Sequence, residues 1–442
     1  MTTDGVNTRE LVLETLLAVE KGESYSHIAL SALLDKHQYL SKQERSFITR
    51  VTMGTLERKL EMDYIIDCFS KVKGKKMKPV ILCILRMSVY QLKYMDAVPD
   101  SAVCNEAVKL AVRKGFGSLK GFVNGVLRNI SRNLSDVVYP DGEREPVKAL
   151  SVRCSVPEWI LRQWEMDYGW EKTKSMAESF LVPGRTTVRV NTMQTDREKL
   201  ILDLKSQGIQ AEPVSLPDYP DFKEALYIWD YDYLSKIEAF VQGQFYVQDI
   251  SSMLPAYLLA PKAGDFVVDL CAAPGGKSLH AAELMGNSGL VEARDLTEYK
   301  VDLIKENIRR TKASNVRAVR WDACERDETL IGKADGVIAD LPCSGLGVMG
   351  KKPDIRYRIT RGQEEELSEL QRQILANACL YVKPGGALLY STCTVNKMEN
   401  EDNTRWLLEH YPEFSLVKER QIFPGEGYGD GFYLAKMIRS KT

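Results

Sequence analysis

From about residue 250 onward the chain alternates short apolar segments with amphipathic ones, and this alternation limits the fold more than any other feature. The strand-like segments are "FVVDL", "GLVEARD", "VRAVRWD", "GVIADLP" and "GALLYSTCT". In one intervening helix Val301, Ile304 and Ile308 share a face. Continuously apolar strands between such helices are typical of a mostly parallel sheet covered on both sides. The pattern predicts a doubly wound α/β domain over residues 246–442, with ligands at the carboxyl ends of the strands.

The earlier part of the chain follows other periodicities. Residues 1–135 lack strand alternation and show helical spacing, as in "ELVLETLLAV" and "PVILCILRMSVYQLKYM", which predicts an all-helical domain. Residues 136–150 contain two prolines and several acidic residues and break the periodicity, so we expect a linker. Residues 151–245 mix helical segments with short strands such as "TTVRVN", which indicates a small α+β extension.

Charge is uneven along the chain. The total is -1, but residues 1–133 carry 21 Lys and Arg against 14 Asp and Glu. An excess of positive charge on one domain favours a polyanionic partner, although a solvated helical surface would look the same. Five of the lysines fall in "KVKGKKMK" (71–78), where they are candidates for phosphate contacts. Arg189 and Asn191 in "VRVN" are further candidates for RNA contacts.

The nine cysteines indicate a reducing compartment. They form no CxxC pair and no metal-ligand spacing, and their odd number excludes complete internal pairing. The N-terminus is polar, and no apolar run reaches the length needed to span a bilayer. We therefore expect a cytoplasmic protein without a metal site and without a membrane partner.

The segment "VVDLCAAPGGKS" (267–278) predicts a cofactor loop. Pro274, Gly275 and Gly276 form a tight turn between a strand and a helix N-terminus, where a ligand approaches the backbone closely. The GxGxxG fingerprint of dehydrogenases is absent. Asp295 ends the next strand 19 residues after Gly276, at a place suited to ribose hydroxyls, and Asp322 follows a third strand near a possible adenine edge. Each aspartate alone is commonly a cap or turn residue, but together they favour a nucleoside cofactor.

Three further segments, "DLCAAPGGKS", "ADLPCSGLGVMGKKPDIR" and "YSTCTVNKMENED", occur in the order found in RNA cytosine-5 methyltransferases of the Sun/Fmu (RsmB) type, which the chain resembles. The likeness extends to "FYVQDISSMLPAYLL" and "GFYLAKMIR". The helical part, with "LLDKHQYLSKQERSFITRVTMGTLER", is similar to the NusB-like domain of this family. The resemblance covers essentially the whole chain and implies an all-α NusB-like RNA-binding domain, a small α+β extension and a Rossmann-like class I methyltransferase core.

The resemblance also implies a cofactor and a substrate. The cofactor is S-adenosylmethionine, and the implied binding residues are Cys271, Ala272, Ala273, Pro274, Gly275, Gly276, Lys277, Asp295, Asp322 and Asp340. The implied substrate is one cytosine of 16S ribosomal RNA, at site 967 in the usual numbering. Free rRNA and an assembling subunit are equally compatible with the sequence. A monomer is the expectation, although the sequence does not fix the oligomeric state.

Four residues receive catalytic roles from the resemblance. Cys393, between two threonines, is the attacking residue, and Cys343, after a proline, assists release of the product. Lys277 and Asp340 match positions that face the target base. The basic loop after Cys343 would affect the grip on RNA; its cations are Lys351, Lys352, Arg356 and Arg358.

The chemistry explains why such residues are needed. Carbon 5 of cytosine is a poor nucleophile until a thiolate adds to carbon 6 and converts the ring to an enamine. The negative charge that develops on the ring calls for a cation or an acid nearby, for which Lys277 and Asp340 are candidates. DNA cytosine-5 methyltransferases attack from a proline-cysteine motif like Pro342-Cys343, so the opposite assignment of the cysteines stays open. Two buried cysteines without a role are a further alternative.

Other functions also stay open on the sequence. One is a cytosine-5 methyltransferase acting on tRNA, another RNA or DNA. Another is a non-catalytic NusB-like RNA-binding assembly factor, and a dehydrogenase is the most distant. Methyl transfer to naked 16S rRNA, and binding of the cofactor, would distinguish these functions.

Overall fold

The computed structural model describes residues 7–441 and divides the chain into two compact units. Among the described residues, the helical unit comprises residues 7–182 and Met349–Arg358, and the sheet-containing unit comprises Pro183–Val348 and residues 359–441. The first six residues, with which the polar N-terminus and the expected helical domain begin, lie outside the described residues. No helix within residues 7–441 is both long and apolar enough to cross a membrane.

The first seven helices of the helical unit pack around one apolar core. Its helices are α1 (Thr8–Glu20), α2 (Ser26–Lys36), α3 (Lys42–Glu57), α4 (Lys59–Phe69), α5 (Pro79–Tyr94), α6 (Asp100–Arg113), α7 (Lys120–Asn133), α8 (Pro146–Cys154), α9 (Glu158–Tyr168) and α10 (Trp170–Ser179). Helix α3 begins with a capping box between Ser41 and Glu44. Helix α5 begins at Pro79, where no backbone N–H is required, and every residue from Ile81 to Gln91 is buried. This confirms the predicted buried helix at the centre of an all-helical domain.

The segment Met349–Arg358, which follows Cys343 in the sequence, belongs to the helical unit and ends in the short helix Ile355–Arg358. Arg356 is 1% exposed, and its guanidinium donates to the carbonyl oxygens of Cys154 (3.1 Å), Ser155 (3.3 Å) and Met349 (2.7 Å). Arg358 donates to backbone carbonyls at the end of α1 and in the loop after it. The expectation that Arg356 binds RNA is therefore wrong, because its side chain is buried and donates its hydrogen bonds to carbonyl oxygens inside this unit.

The sheet-containing unit begins with a small α+β part. Its elements are β1 (Thr186–Val190), α11 (Arg197–Ser206), β2 (Gln210–Pro213), β3 (Ala225–Trp229), α12 (Glu238–Val241) and β4 (Phe245–Val247). The four strands pair antiparallel in the order β2-β3-β1-β4. The α+β extension expected from the sequence is thus present.

A second sheet of seven strands forms the rest of this unit. Its elements are α13 (Ile250–Leu259), β5 (Phe266–Asp269), α14 (Gly276–Leu284), β6 (Leu290–Asp295), α15 (Glu298–Thr311), β7 (Val316–Arg320), β8 (Ala334–Asp340), α17 (Arg361–Tyr381, with Ile355–Arg358 counted as α16), β9 (Val382–Thr392), α18 (Glu401–His410), β10 (Phe414–Ile422) and β11 (Phe432–Arg439). The strand order is β10-β11-β9-β8-β5-β6-β7, and neighbours from β9 to β7 are parallel. Strand β11 runs antiparallel to both neighbours. The predicted mostly parallel, doubly wound fold is confirmed.

Replacing Arg356 by alanine tests its part in the helical unit. We expect Arg356→Ala to lower the free energy of unfolding of this unit by about 3 kcal/mol, because buried carbonyl oxygens lose their donors and a cavity opens. Urea unfolding followed by circular dichroism measures the change. The control is Arg132→Ala, an exposed arginine on α7, which should change stability by less than about 0.5 kcal/mol. Equal stability of the two variants would contradict the assigned role.

Candidate active site

Two cysteine loops meet where β8 and β9 end. Asp340, the last residue of β8, pairs with Ser391 of β9 in the parallel register. Cys343 follows Asp340 by three residues and Cys393 follows Ser391 by two, so the register places the two thiols side by side. Their sulfur atoms are 3.3 Å apart, and both side chains are half-buried. The structure therefore brings together the two cysteines singled out in the sequence.

The Cys343 loop is held against a third loop, between β10 and β11. The N–H of Gly431 donates to the carbonyl of Gly347 (2.9 Å), and the N–H of Gly347 donates to the carbonyl of Cys393 (3.2 Å). A Cβ atom on Gly347 would lie 2.0 Å from the carbonyl oxygen of Gly431, so this approach requires glycine. The backbone around both cysteines is thus closely fixed.

Lys277 and Asp340 form an ion pair next to the cysteine loops. Nζ of Lys277, in the first turn of α14, lies 2.6 Å from Oδ2 of Asp340, whose Oδ1 accepts from the Ser391 hydroxyl at 2.8 Å. The Lys277 ammonium also lies 5.5 Å from the centre of the Phe432 ring. Burial opposes the charge on Lys277, but the attraction of Asp340 and a hydrogen bond to it outweigh burial, so the pKa of Lys277 is above its usual range. The side chain stays a cation at neutral pH.

The state of Cys343 depends on its neighbour. A hydrogen bond with Cys393 and burial, followed by the charge interaction with Cys393, raise the pKa of Cys343 well above that of a free thiol. Cys343 therefore keeps its proton at neutral pH.

The predicted cofactor loop, Cys271–Lys277, runs from β5 into α14. Gly275 has φ +105°, a conformation that favours glycine. Asp295, at the end of β6, accepts from the N–H of Ala273 (2.9 Å) through one oxygen and from Lys300 (3.0 Å) through the other. The hydroxyl of Tyr246 donates to the carbonyl of Pro274 at 3.2 Å. The carboxylate at the end of β6 thus lies directly against the loop, and its contact with ribose hydroxyls stays a prediction.

The remaining predicted cofactor residues lie around the same loop. Ala272 is buried, and Ala273 and Gly276 are partly exposed. Asp322 lies two residues beyond β7 and accepts from the N–H of Cys324 at 2.9 Å, which makes it a turn residue as well as a candidate ligand. Burial raises the pKa of Cys271, which therefore stays a thiol.

Sequence reasoning missed a buried carboxylate under the cofactor loop. Asp269, the last residue of β5, is 0% exposed, and its Oδ2 accepts from the Ser278 hydroxyl at 2.6 Å. Its Oδ1 has no hydrogen-bond partner within residues 7–441. Burial raises the pKa of Asp269 to about 7. The acidic residue that ends β5 in "VVDL" was the available sequence signal.

The carboxylates and the glycine turn fit S-adenosylmethionine. Asp295 and Asp322 offer acceptor oxygens at strand ends to the hydroxyl and amino donors of a nucleoside, and Gly275 keeps the loop open to close approach. The oxygen of Asp269 that has no hydrogen-bond partner within residues 7–441 suits a cofactor that carries a sulfonium and an ammonium group, because a nearby cation favours the ionised form of this carboxyl group.

Two residues predicted for RNA contacts are placed elsewhere. Arg189 is 0% exposed, donates to Gln248 at 2.9 Å and pairs with Glu283. Asn191 is 2% exposed and donates to the carbonyl oxygens of Gly243 (2.8 Å) and Thr311 (3.2 Å). Both are interior residues of the sheet-containing unit, so they do not contact RNA. The five lysines of residues 71–78 lie in the helical unit between α4 and α5, and all are exposed.

The order of the seven strands and the glycine turn after β5 define a class I methyltransferase. Three family models match the chain: "16S rRNA methyltransferase RsmB/F" over residues 256–438, "NusB family" over residues 6–132, and "Methyltr_RsmF/B-like, ferredoxin-like domain" over residues 156–220. The predicted domain boundaries at 135, 150 and 245 stay a prediction beside these matches.

Curated relatives match over almost their full lengths. A probable ribosomal RNA small subunit methyltransferase B of Bacillus subtilis is 36% identical over 98% of both chains. The ribosomal RNA small subunit methyltransferase B of Shewanella oneidensis is 29% identical, over 98% of this chain and all of the relative. The chain belongs to the RsmB/F family of 16S rRNA methyltransferases.

Solved structures agree with this assignment. The crystal structure of PH0851 has a TM-score of 0.81 and 26% identity, and covers 99% of this chain and 100% of that one. NSun6 from Pyrococcus horikoshii, solved with the S-adenosylmethionine analogue SFG, has a TM-score of 0.57 and 25% identity over 65% of this chain and 98% of its own. The chain is therefore an S-adenosylmethionine-dependent rRNA methyltransferase with a NusB-like domain, which confirms the resemblance and the cofactor inferred from the sequence.

The raised pKa of Asp269 predicts a pH-dependent effect of Asp269→Asn. The folded protein holds this proton more tightly than the unfolded chain, so the contribution of Asp269 to stability is full below about pH 4 and lost as the pH rises to about 7. The stability of Asp269→Asn relative to wild type should therefore grow by about 2–3 kcal/mol between about pH 5 and about pH 8. Urea unfolding without cofactor at both pH values measures it. Asp302→Asn, an exposed change on α15, should show no such growth, and a pH-independent difference for Asp269→Asn would contradict the prediction.

Proposed function

We propose that this methyltransferase transfers a methyl group to carbon 5 of one cytosine in 16S rRNA, through a covalent adduct of Cys393 with carbon 6. The observation that carries the proposal is the separation of 3.3 Å between the sulfur atoms of Cys343 and Cys393, beside the Lys277–Asp340 ion pair. By family analogy the target is site 967. Two thiols and a fixed cation are what cytosine activation at carbon 6 requires.

Attack begins at Cys393. The neighbouring sulfur and burial raise the pKa of Cys343, so it keeps its proton. Either sulfur can be the donor in the contact between them, and donation by the Cys343 S–H would stabilise a Cys393 thiolate. The thiolate adds to carbon 6 of the target base. Carbon 5 then takes the methyl group that bound S-adenosylmethionine supplies as an activated sulfonium methyl. Because Cys343 keeps its proton, Cys393 is favoured as the nucleophile over the cysteine of the proline-cysteine motif.

Release follows from the same pair. Once Cys393 is a neutral thioether, Cys343 loses both the hydrogen-bond acceptor and the negative charge that raised its pKa. Cys343 then ionises more readily and releases its proton to water, and the resulting thiolate takes the proton from carbon 5, directly or through water. The electrons of that C–H bond re-form the double bond between carbons 5 and 6, and Cys393 leaves as a thiolate.

Lys277 and Asp340 serve the ring rather than the thiols. Addition at carbon 6 places negative charge on nitrogen 3 and the carbonyl oxygen of the base. The Lys277 ammonium, held as a cation by Asp340, stabilises that charge. The Ser391 hydroxyl, bound to Asp340, keeps the carboxylate in place.

The RNA partner accounts for the charge of the helical unit. The exposed lysines of residues 71–78, together with Lys351, supply cations for phosphates, while the unstacked target base enters the site. The cofactor is held by the loop Cys271–Lys277 with Asp295, Asp322 and Asp340. The nine free cysteines support action in the reducing cytoplasm, where 16S rRNA is made.

Trapping the intermediate tests the assignment of the two cysteines. Cys343→Ala and Cys393→Ala are incubated separately with 16S rRNA and S-adenosylmethionine, and denaturing gels are examined for a protein–RNA adduct. We expect the adduct to accumulate with Cys343→Ala alone, because that variant forms the bond to carbon 6 but does not release it.

The double variant Cys343→Ala/Cys393→Ala is the control and should form no adduct. An adduct that accumulates only with Cys393→Ala would reverse the two roles. Methylation of tRNA in preference to 16S rRNA by the wild type would contradict the proposed substrate.

A further inference from the structure

A buried carboxylate joins the two cysteine loops. Glu399 precedes α18, in "NKMENED", and is 0% exposed. Its Oε2 accepts from the N–H of Ser344 (2.8 Å) and from Nε2 of Gln371 (3.0 Å). Its Oε1 accepts from Nδ2 of Asn396 (3.1 Å) and from the Ser344 hydroxyl. Both oxygens are therefore fully used inside the protein.

The Cys343 loop is linked to this carboxylate on both sides of the cysteine, directly through Ser344 and indirectly, through Gln371, at Pro342. Ser344 follows Cys343 directly and donates through both its backbone and its side chain. Pro342, which precedes Cys343, accepts at 2.8 Å from the same Gln371 amide that donates to Glu399. The backbone around the sulfur of Cys343 is thus fixed by one network.

The Cys393 loop is bound to the same carboxylate. Asn396, three residues beyond Cys393, donates to it directly. Thr394, which follows Cys393, shares a hydrogen bond of 2.7 Å with the hydroxyl of Ser344, and its oxygen also accepts from the N–H of Leu346 at 3.2 Å. Loops that are 50 residues apart in sequence meet on a single side chain.

The hydrogen-bond pattern requires a carboxylate and excludes an amide. Four donor groups converge on Glu399, which offers only acceptors when it is ionised. Glutamine has the same shape, but its NH2 group would face the donors of Asn396 or of Ser344 and Gln371. The isosteric change Glu399→Gln therefore breaks part of the network without leaving a cavity.

We propose that Glu399 is a positioning residue that sets the distance between the Cys343 and Cys393 sulfur atoms. In the proposed reaction the charge on the nucleophile changes the pKa of the release residue through the contact between their sulfur atoms. By fixing that contact, Glu399 couples the two residues. The consequence for catalysis rests on the proposed function, whereas the consequence for the geometry of the thiols does not. A shift of about 1 Å at a reacting group is enough to lower a rate about 100-fold.

Capture of the two thiols by phenylarsine oxide measures the geometry without substrate. The arsenic bonds to both sulfur atoms, and its oxygen leaves as water with the two thiol protons, so tight capture needs neighbouring thiols. We expect Glu399→Gln to weaken this capture at least about 10-fold relative to wild type. Cys343→Ser identifies the capture that belongs to this pair. Unchanged capture by Glu399→Gln would overturn the proposal.

The matched control is Asp327→Asn. Asp327 is another buried carboxylate of the same unit, which accepts from Thr329 and Arg294 and, within residues 7–441, makes no hydrogen bond to either cysteine loop. This variant should lose stability but capture arsenic as the wild type does. If Glu399→Gln does not fold, Ser344→Ala carries the test, since it removes only the hydroxyl that donates to Glu399 and shares a hydrogen bond with Thr394. Capture equal to wild type by Ser344→Ala would then overturn the proposal.

Kinetics separate positioning from a general loss of structure. Glu399→Gln should bind S-adenosylmethionine with unchanged affinity, while kcat for rRNA methylation falls about 100-fold. A parallel loss of cofactor affinity would mean a structural role and overturn the proposal. Failure of the wild type to form 5-methylcytosine would overturn the proposed function alone, because arsenic capture does not depend on it.

Discussion

The backbone hydrogen bonds between β8 and β9 place Asp340 opposite Ser391, and the chemistry of the site depends on this register. It puts Cys343 and Cys393, each a few residues beyond a strand end, at the same edge of the sheet. A slip of one residue would turn the side chains of β9 to the opposite face and separate the thiols. The parallel core is therefore the scaffold of the proposed two-cysteine reaction.

Three acidic side chains lie around this edge: Glu399 and Asp269 are fully buried and Asp340 is partly exposed, and the charge of each is balanced in a different way. Glu399 receives four hydrogen bonds, which oppose the burial that raises its pKa. Asp340 is neutralised by Lys277. Asp269 has one oxygen without a partner in the described chain, and its pKa rises to about 7. Because an uncompensated buried charge is unstable, Asp269 is the member of this set that a cationic ligand would stabilise most.

Local patterns in the sequence predict much of this molecule. The periodicity of the apolar residues gives the buried helix α5 and the alternation from β5 to β9, and glycine with the strand-end acids gives the cofactor loop. Contacts between segments that are far apart in the sequence cannot be predicted from local patterns. Arg356 looks like an RNA-binding cation but lies inside the helical unit, and Glu399 looks like an ordinary helix-start residue but joins two distant loops. Both depend on which segments meet after folding.

The central claim is that the methyl group goes to carbon 5 of cytosine, and loss of the hydrogen at that atom tests it most directly. The wild-type enzyme is given 16S rRNA carrying tritium at carbon 5 of its cytosines, with S-adenosylmethionine labelled in the methyl group. We predict one tritium released to water for each methyl group incorporated. Methyl incorporation with the tritium retained in the RNA would place the methyl group on another atom and contradict this account.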